Sequence, residues 1–283
     1  MHPHPGRTTR LARALSVVAV LCLPVTAGGQ QAVRAAALAS PAATALAATS
    51  PADGGAPPGP AAWLYGSEIR RIPTRQREVA LTCNAAWDEA GIQEVLRTLR
   101  RHRVPATFFL TGRFAENHHR AVRTIAAQCG IANHSYSHPY FTRLSPGDAE
   151  REVTAADRAL REAAGSAPLP FFRFPYGETT PQGVAQVNSL GFADIEWTTD
   201  TKGYLGTAGG ISVRKAVARV ADVLGPGAII QMHVGSADGS GEVLDAQALP
   251  QIIDLITGQG YTVVDLRTLL DPDRQPDSVP RPG

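Results

Sequence analysis

Seven short apolar runs, separated by stretches of helical spacing, constrain this chain more than any other feature. The runs are 78–82, 106–110, 130–133, 171–174, 193–197, 228–232 and 261–264. Their length and their Val, Ile and Phe content predict strands. Between them, apolar residues recur with helical period over 90–102, 121–128, 146–164, 181–190, 213–223 and 246–257. In the first of these, Ile92, Val95, Leu96 and Leu99 share one face. Ser145-Pro146-Gly147-Asp148 reads as a helix start. Strand and helix in alternation predict an α/β fold: a parallel sheet covered by helices, open or closed into a barrel.

The ends of the chain differ from this middle. Arg7, Arg10 and Arg13 precede the apolar run Ala14 to Val25, and Val25-Thr26-Ala27 supplies small residues, so 1–27 is expected to be a secretory signal. A second cut is open after Ala37-Leu38-Ala39. The alternative, a membrane anchor, meets a run too short to span a bilayer, so no stable span is expected after cleavage. Leu21 before Cys22 argues against lipidation. Residues 28–62, rich in Ala, Pro, Gly, Ser and Thr, bury too little surface to offset their ordering entropy and are expected to be a disordered tether. That leaves 63–271 as one domain, expected as a monomer, with a flexible tail at 272–283. The formal charge is +2, but residues 1–39 hold four Arg and no acidic residue, so a chain cut after Ala39 carries −2. No nucleic-acid partner is expected. Cys83 and Cys129, which would remain after cleavage, are expected as two buried free thiols although export permits a disulfide.

Several polar residues fall at or just after strand ends, where parallel α/β folds place their sites. In Asn133-His134-Ser135-Tyr136-Ser137-His138-Pro139 two imidazoles stand four apart, a spacing that can share one face of a helical turn and close on one divalent ion. Further on come Arg173-Phe174-Pro175-Tyr176-Gly177, then Asp200, then Gln231-Met232-His233. Upstream, Val79-Ala80-Leu81-Thr82 runs into Cys83-Asn84-Ala85-Ala86-Trp87-Asp88. His118-His119, at a helix start without partners, reads as a solvated surface pair.

Together these motifs resemble the polysaccharide deacetylases of the NodB-homology type, also called carbohydrate esterase family 4, over roughly residues 63 to 270. The resemblance implies a distorted (β/α) barrel of about seven parallel strands. It implies His134 and His138 as ligands of Zn²⁺ or a similar divalent metal, and His233 as the general acid with Asp200 orienting it. It implies Arg173 as the residue that holds a catalytic carboxylate, Pro175 as the residue fixing the turn, and Tyr176 as the residue whose backbone N–H stabilises an oxyanion. Gln231 replaces a Leu of the acetyl-methyl pocket, and Gly203-Tyr204 replaces Asp-Trp, leaving Tyr204 to present an aromatic face to a sugar. The first motif departs furthest: Asn84 and Ala85 stand where the family has a basic Asp and a metal-binding Asp. Asn84 cannot act as a base, although it could position water, and Asp88 is a candidate replacement. The expected function is that of an exported, metal-dependent hydrolase removing N-acetyl groups from amino-sugar polysaccharide, peptidoglycan or chitin-like, outside the cell or at its wall. The alternative is a degenerate deacetylase that binds cell-wall glycan without turnover. A serine hydrolase finds no Gly-x-Ser-x-Gly elbow.

Overall fold

The structure is a computed structural model and describes residues 62–236 and 241–271. The expected signal, all but the last residue of the tether and the tail lie outside the described residues; Ala62 opens a short 3-10 turn, Ala62–Leu64.

In chain order the elements are β1 Glu78–Ala85, α1 Ile92–His102, β2 Thr107–Leu110, α2 Gly112–Asn117, α3 His119–Ala126, β3 Gly130–Asn133, α4 Pro146–Ala164, β4 Phe171–Phe172, α5 Pro181–Ser189, β5 Ala193–Asp194, β6 Thr199–Asp200, α6 Val213–Ala221, β7 Ala228–His233, α7 Leu244–Gly258 and β8 Thr262–Val264. The strands pair in parallel in the order β5-β4-β3-β2-β1-β7-β6. β7 lines Val79 to Asn84 along β1, so β2 (at Thr82 to Ala85) and β8 (at Glu78 to Ala80) follow one another along the opposite edge. The sheet curls into a distorted barrel, as expected.

The expected strand at 193–197 ends at Asp194 and a second strand follows at Thr199–Asp200, because the backbone changes partners between them. Ile195 N–H donates to the Phe172 carbonyl at 2.8 Å, whereas Thr198 N–H donates to the Ile229 carbonyl at 2.8 Å. This crossing carries the chain from β4 to β7. Residues 69–72 seal the seam below it: Ile69 N–H bonds the Asp194 carbonyl at 3.0 Å and Ile72 N–H the Gly227 carbonyl at 2.8 Å.

Side chains alternate across the sheet with a period of two. Val79, Leu81, Cys83 and Ala85 of β1 join the core under the helices, while Ala80 packs inside the barrel with Phe109, Ala132, Phe171, Ala193, Ile195 and Ile229. The helices α4, α5 and α6 start where expected, and α1, α3 and α7 within two residues of it. Ser145 caps α4, its Oγ accepting from Asp148 N–H at 3.2 Å, and Gly165 ends it at φ 71°. The short α2 escaped the periodicity because six residues are too few to show it; Thr111 caps it by accepting from Phe114 N–H at 3.1 Å. Cys83 and Cys129 are free and buried, and burial pushes the Cys83 thiol well up and Cys129 to about 11, so both stay protonated.

Candidate active site

The carboxyl ends of the strands converge on a cleft of about 390 Å³. β1 brings Asn84, the loop after β3 brings His134 and His138, β4 leads into Arg173, β6 ends at Asp200, and β7 supplies Gln231 and His233. Adjacent strands set the register: Asn84 lies opposite His233, and Asp200 opposite Gln231. Of five non-glycine residues with positive φ among the described residues, Ser135, His138, Tyr176 and Lys202 stand in the loops of this cleft. Such backbone costs about 1–3 kcal/mol per residue and persists where surrounding contacts over-determine it.

The spacing of His134 and His138 brings their rings together, but not on a helix. Both lie in a loop, with positive φ at Ser135 (66°) and His138 (61°), and the ring centroids are 4.8 Å apart. Glu152 of α4 holds this loop, accepting from the N–H groups of Tyr136 at 2.9 Å and Ser137 at 2.7 Å. Sequence reading missed Glu152, since nothing separates it from the other charges of an amphipathic helix. His134 Nδ1 lies 2.9 Å from the Arg173 carbonyl, an acceptor only. The proton therefore sits on Nδ1, and Nε2 turns its lone pair toward Asn84. Burial pushes His134 well below the ordinary imidazole range, with His138 adding to it, and burial takes His138 down to about 4. Both rings are neutral near pH 7, the state a metal ligand needs.

Asn84 makes three contacts through its amide. Its Oδ1 accepts from Arg173 Nη1 at 2.9 Å; its Nδ2 donates to Gln231 Oε1 at 3.0 Å and lies 3.2 Å from His134 Nε2. Gln231 is thus a polar partner of Asn84, which ties the two departures from the family pattern to each other. Arg173 is fully buried and donates only to neutral oxygens: Thr82 Oγ1, Asn84 Oδ1, and the carbonyls of Ile195 and Glu196, at 2.9 to 3.1 Å. Its guanidinium lies 3.8 Å over the Phe109 ring. Burial lowers it to about 10, and the nearby charges of Glu196 and Asp194 hold it up. Those two carboxyls are buried as well. Burial pushes Asp194 well up, the charge of Glu196 adding to it; burial also raises Glu196 while Arg173 draws it back.

Ala85 faces the helices and is 1% exposed. Its Cβ therefore points away from the cleft that Asn84 enters. Asp88 does not take the place of a missing carboxylate: Oδ1 accepts from Ala90 N–H at 2.9 Å and Oδ2 from Ser236 N–H at 3.0 Å, fastening two loops together. His118, read as solvated, instead ties down the loop after β1, its Nε2 3.1 Å from the Trp87 carbonyl and its ring against Phe114.

Across the cleft, His233 Nδ1 lies 3.7 Å from Asp200 Oδ1 and 3.7 Å from Asp245 Oδ2. Sequence reading missed Asp245, which looks like an ordinary first-turn helix acid. Tyr204 packs its ring 4.7 Å from that of His233. Pro175 begins a tight turn in which Tyr176 has φ 63°, and Gly177 (φ 67°) is pressed so closely on Trp197 that a Cβ would lie 2.7 Å from its ring. Tyr176 stacks on Tyr140 with centroids 4.1 Å apart and meets His138 at 4.6 Å. Trp87, Tyr176, Tyr204 and Leu205 are the exposed large apolar residues among those described, and the first three line the cleft.

Residues 71–195 match the family model for polysaccharide deacetylase. The chain is 30% identical over 202 residues to a chitooligosaccharide deacetylase of Bradyrhizobium, covering 68% of this chain and 90% of that one. The chain belongs to the polysaccharide deacetylase family. By class it is a deacetylase-like amide hydrolase, one whose first motif lacks both carboxylates. It is also 32% identical over 187 residues to a peptidoglycan-N-acetylglucosamine deacetylase of Bacillus cereus, across 64% of this chain and 65% of that one. Among solved structures it is similar to a CE4 family pseudoenzyme from Bacillus anthracis, at 29% identity and a TM-score of 0.65, over 73% of this chain and 69% of that one. A mutant of that pseudoenzyme, described as having restored enzymatic activity, matches at 29% identity with a TM-score of 0.64, over 73% of this chain and 72% of that one.

Proposed function

We propose that this deacetylase is exported and removes N-acetyl groups from an amino-sugar polysaccharide of the peptidoglycan or chitin kind, slowly, with a divalent metal held by His134 and His138. One observation carries the reading: two neutral imidazoles face a third, His233, across a cleft rimmed by exposed aromatic rings. Rings of this kind offer flat apolar faces to sugars. The cleft volume of about 390 Å³ falls in the range of small-ligand sites. The chain's relatives named above act on chito-oligosaccharide and on peptidoglycan N-acetylglucosamine.

The donor set fits a weakly held borderline ion. His134 has its tautomer fixed with Nε2 inward, and His138 Nδ1 is buried with no hydrogen-bond partner. Among the described residues no group of three His, Cys, Asp or Glu gathers around them. When bound, the ion would polarise the acetyl carbonyl and lower the pKa of a water. The chain's own residues do the rest. Arg173 and Gln231 fix Asn84, whose amide positions water. His233, beside Asp200, protonates the departing amine. Trp87, Tyr176 and Tyr204 hold the sugar.

The experiment is acetate release from N-acetylglucosamine oligomers with zinc added, beside calorimetric zinc titration of the apo protein. Slow release, zinc binding weaker than nanomolar, and loss of both in His134→Ala are expected. Identical zinc titrations for wild type and His134→Ala would remove the metal site. Glycan binding without any release would favour a second reading, a cell-wall glycan binder. Its support is that residue 84 is an amide held by Arg173 and Gln231 and cannot take a proton from water as a carboxylate would. Export is tested by N-terminal sequencing of protein from the culture medium, with a start after Ala27 or Ala39 expected.

A further inference from the structure

The sequence has Gly203 where the family pattern carries an Asp, and the space beside that glycine is filled. A Cβ built on Gly203 would overlap the carboxylate of Asp245, which arrives from the first turn of α7 and is 1% exposed. Asp245 Oδ2 accepts from the backbone N–H of His233 at 2.7 Å and from Thr201 Oγ1 at 2.9 Å. The same oxygen stands 3.7 Å from His233 Nδ1, as close as Asp200 Oδ1. Both Asp245 Oδ1 and His233 Nδ1 are buried without a hydrogen-bond partner. A buried carboxylate and a buried ring nitrogen left over side by side each cost free energy that their pairing recovers.

We infer that Asp245 is a positioning residue for His233, supplying from α7 a carboxylate for which Gly203 makes room. It fixes the end of β7 through the His233 backbone and, with Asp200, draws the ring proton onto Nδ1. Nε2 is then the nitrogen that faces the cleft with its lone pair free; it takes a proton from the attacking water and passes that proton to the leaving amine. The other titratable groups facing the ring are Tyr204, on the turn after β6, and His134 and His138 across the cleft. None of them shares the buried side on which Asp245 lies. The inference rests on the proposed role of His233, but its test needs no turnover.

Nitrogen-15 spectra of the histidine side chains, recorded with the His233 ring neutral, report which ring nitrogen carries the proton. In the wild type the Nδ1–H tautomer is expected to predominate. Asp245→Asn keeps an acceptor for the His233 and Thr201 donors but removes the charge, and should lower the Nδ1–H to Nε2–H ratio on the order of tenfold. Asp245→Ala should lower it at least as far. Gly203→Asp alone should lower Tm, because two side chains compete for one space. Gly203→Asp with Asp245→Ala should recover both Tm and the wild-type tautomer ratio. Should Asp245→Ala fail to fold, Asp245→Asn still gives the answer. A folded Asp245→Asn with an unchanged tautomer ratio overturns the inference, as does a Gly203→Asp single variant as stable as wild type.

Discussion

The two walls of the cleft each lack a carboxylate of the family pattern, and they fill the gap with different chemistry. On the wall built by β1, β3 and β4, Asn84 replaces an acid with a neutral amide whose partners are Arg173, Gln231 and the lone pair of His134. On the wall built by β6, β7 and α7, Gly203 gives up a side chain, and Asp245 brings an acid back from another element. The first wall has exchanged charge for hydrogen bonds and no longer offers a base. The second has kept its charge around His233. This difference locates the expected defect on the Asn84 wall.

The strongest way to break the comparison is to restore the first wall. Asn84→Asp should raise the rate of acetate release by about 10²- to 10⁴-fold, chiefly in kcat, because proton transfer contributes in the transition state and not to substrate binding. The site accommodates the change: Arg173 Nη1 already lies 2.9 Å from Asn84 Oδ1, and Gln231 can turn its amide to donate instead of accept. A carboxylate there faces the lone pair of His134 Nε2, so the variant should also bind zinc more tightly than wild type. Unchanged acetate release from folded, zinc-loaded Asn84→Asp protein would place the defect elsewhere.

Ala85→Asp should do the reverse of what the family pattern suggests. Residue 85 points into the helix-side core beside Cys83 and Leu81, where a carboxylate would be buried without a partner. A cost of about 3 kcal/mol or more is expected, which for a domain of this size lowers Tm by roughly 6–12 °C. Thermal unfolding measures it. A stable Ala85→Asp protein with tighter zinc binding would show that the end of β1 can turn its side chains into the cleft.

These two substitutions also mark how much of the molecule was legible in its sequence. The strands were legible because strands buried on both faces read as unbroken apolar runs, and the barrel followed from their alternation with helices. The division at 193–200 was not, because it depends on a change of partner from β4 to β7 that no local pattern records. His134 and His138 were singled out by their spacing, and their rings do come together, through a strained loop and not on a helix face. Which way Ala85 points was hidden because a motif gives order along the chain, and the pleat decides the face. Asp245 and Glu152 were invisible because their partners, His233 and the Tyr136–Ser137 backbone, are 12 and at least 15 residues away.

Stability against pH should sharpen the comparison from beneath the first wall. Asp194 and Glu196 both have folded pKa values raised by burial. A carboxyl raised in the folded state holds a proton that the unfolded chain has released, so its contribution is full below the unfolded value near ~4 and is lost as pH rises through the folded one. Wild type should therefore lose part of its stability as the pH is raised above that value, and Asp194→Asn should flatten this loss. Urea unfolding across pH 5 to 9 gives the slope. A steeper fall in Asp194→Asn would mean that Arg173 needs the Asp194 charge more than burial opposes it.

The smallest expected effect concerns which wall grips the glycan. Trp87 stands on the first wall with 61% of its surface exposed, its loop tied down by His118, so its ring is presented to the cleft at little ordering cost. Tyr204 stands on the second wall, 42% exposed, with its ring against His233. Stacking on an aromatic ring contributes about 0.5–1.5 kcal/mol beyond buried area, so Trp87→Ala should weaken binding of N-acetylglucosamine oligomers by roughly 2- to 12-fold. Tyr204→Ala should weaken it less, since much of that ring is already occupied by His233. Calorimetry with a chitin tetramer would measure both. A larger loss from Tyr204→Ala than from Trp87→Ala would mean that the sugar is held chiefly by the wall that kept its charge, and that the Asn84 wall contributes only chemistry.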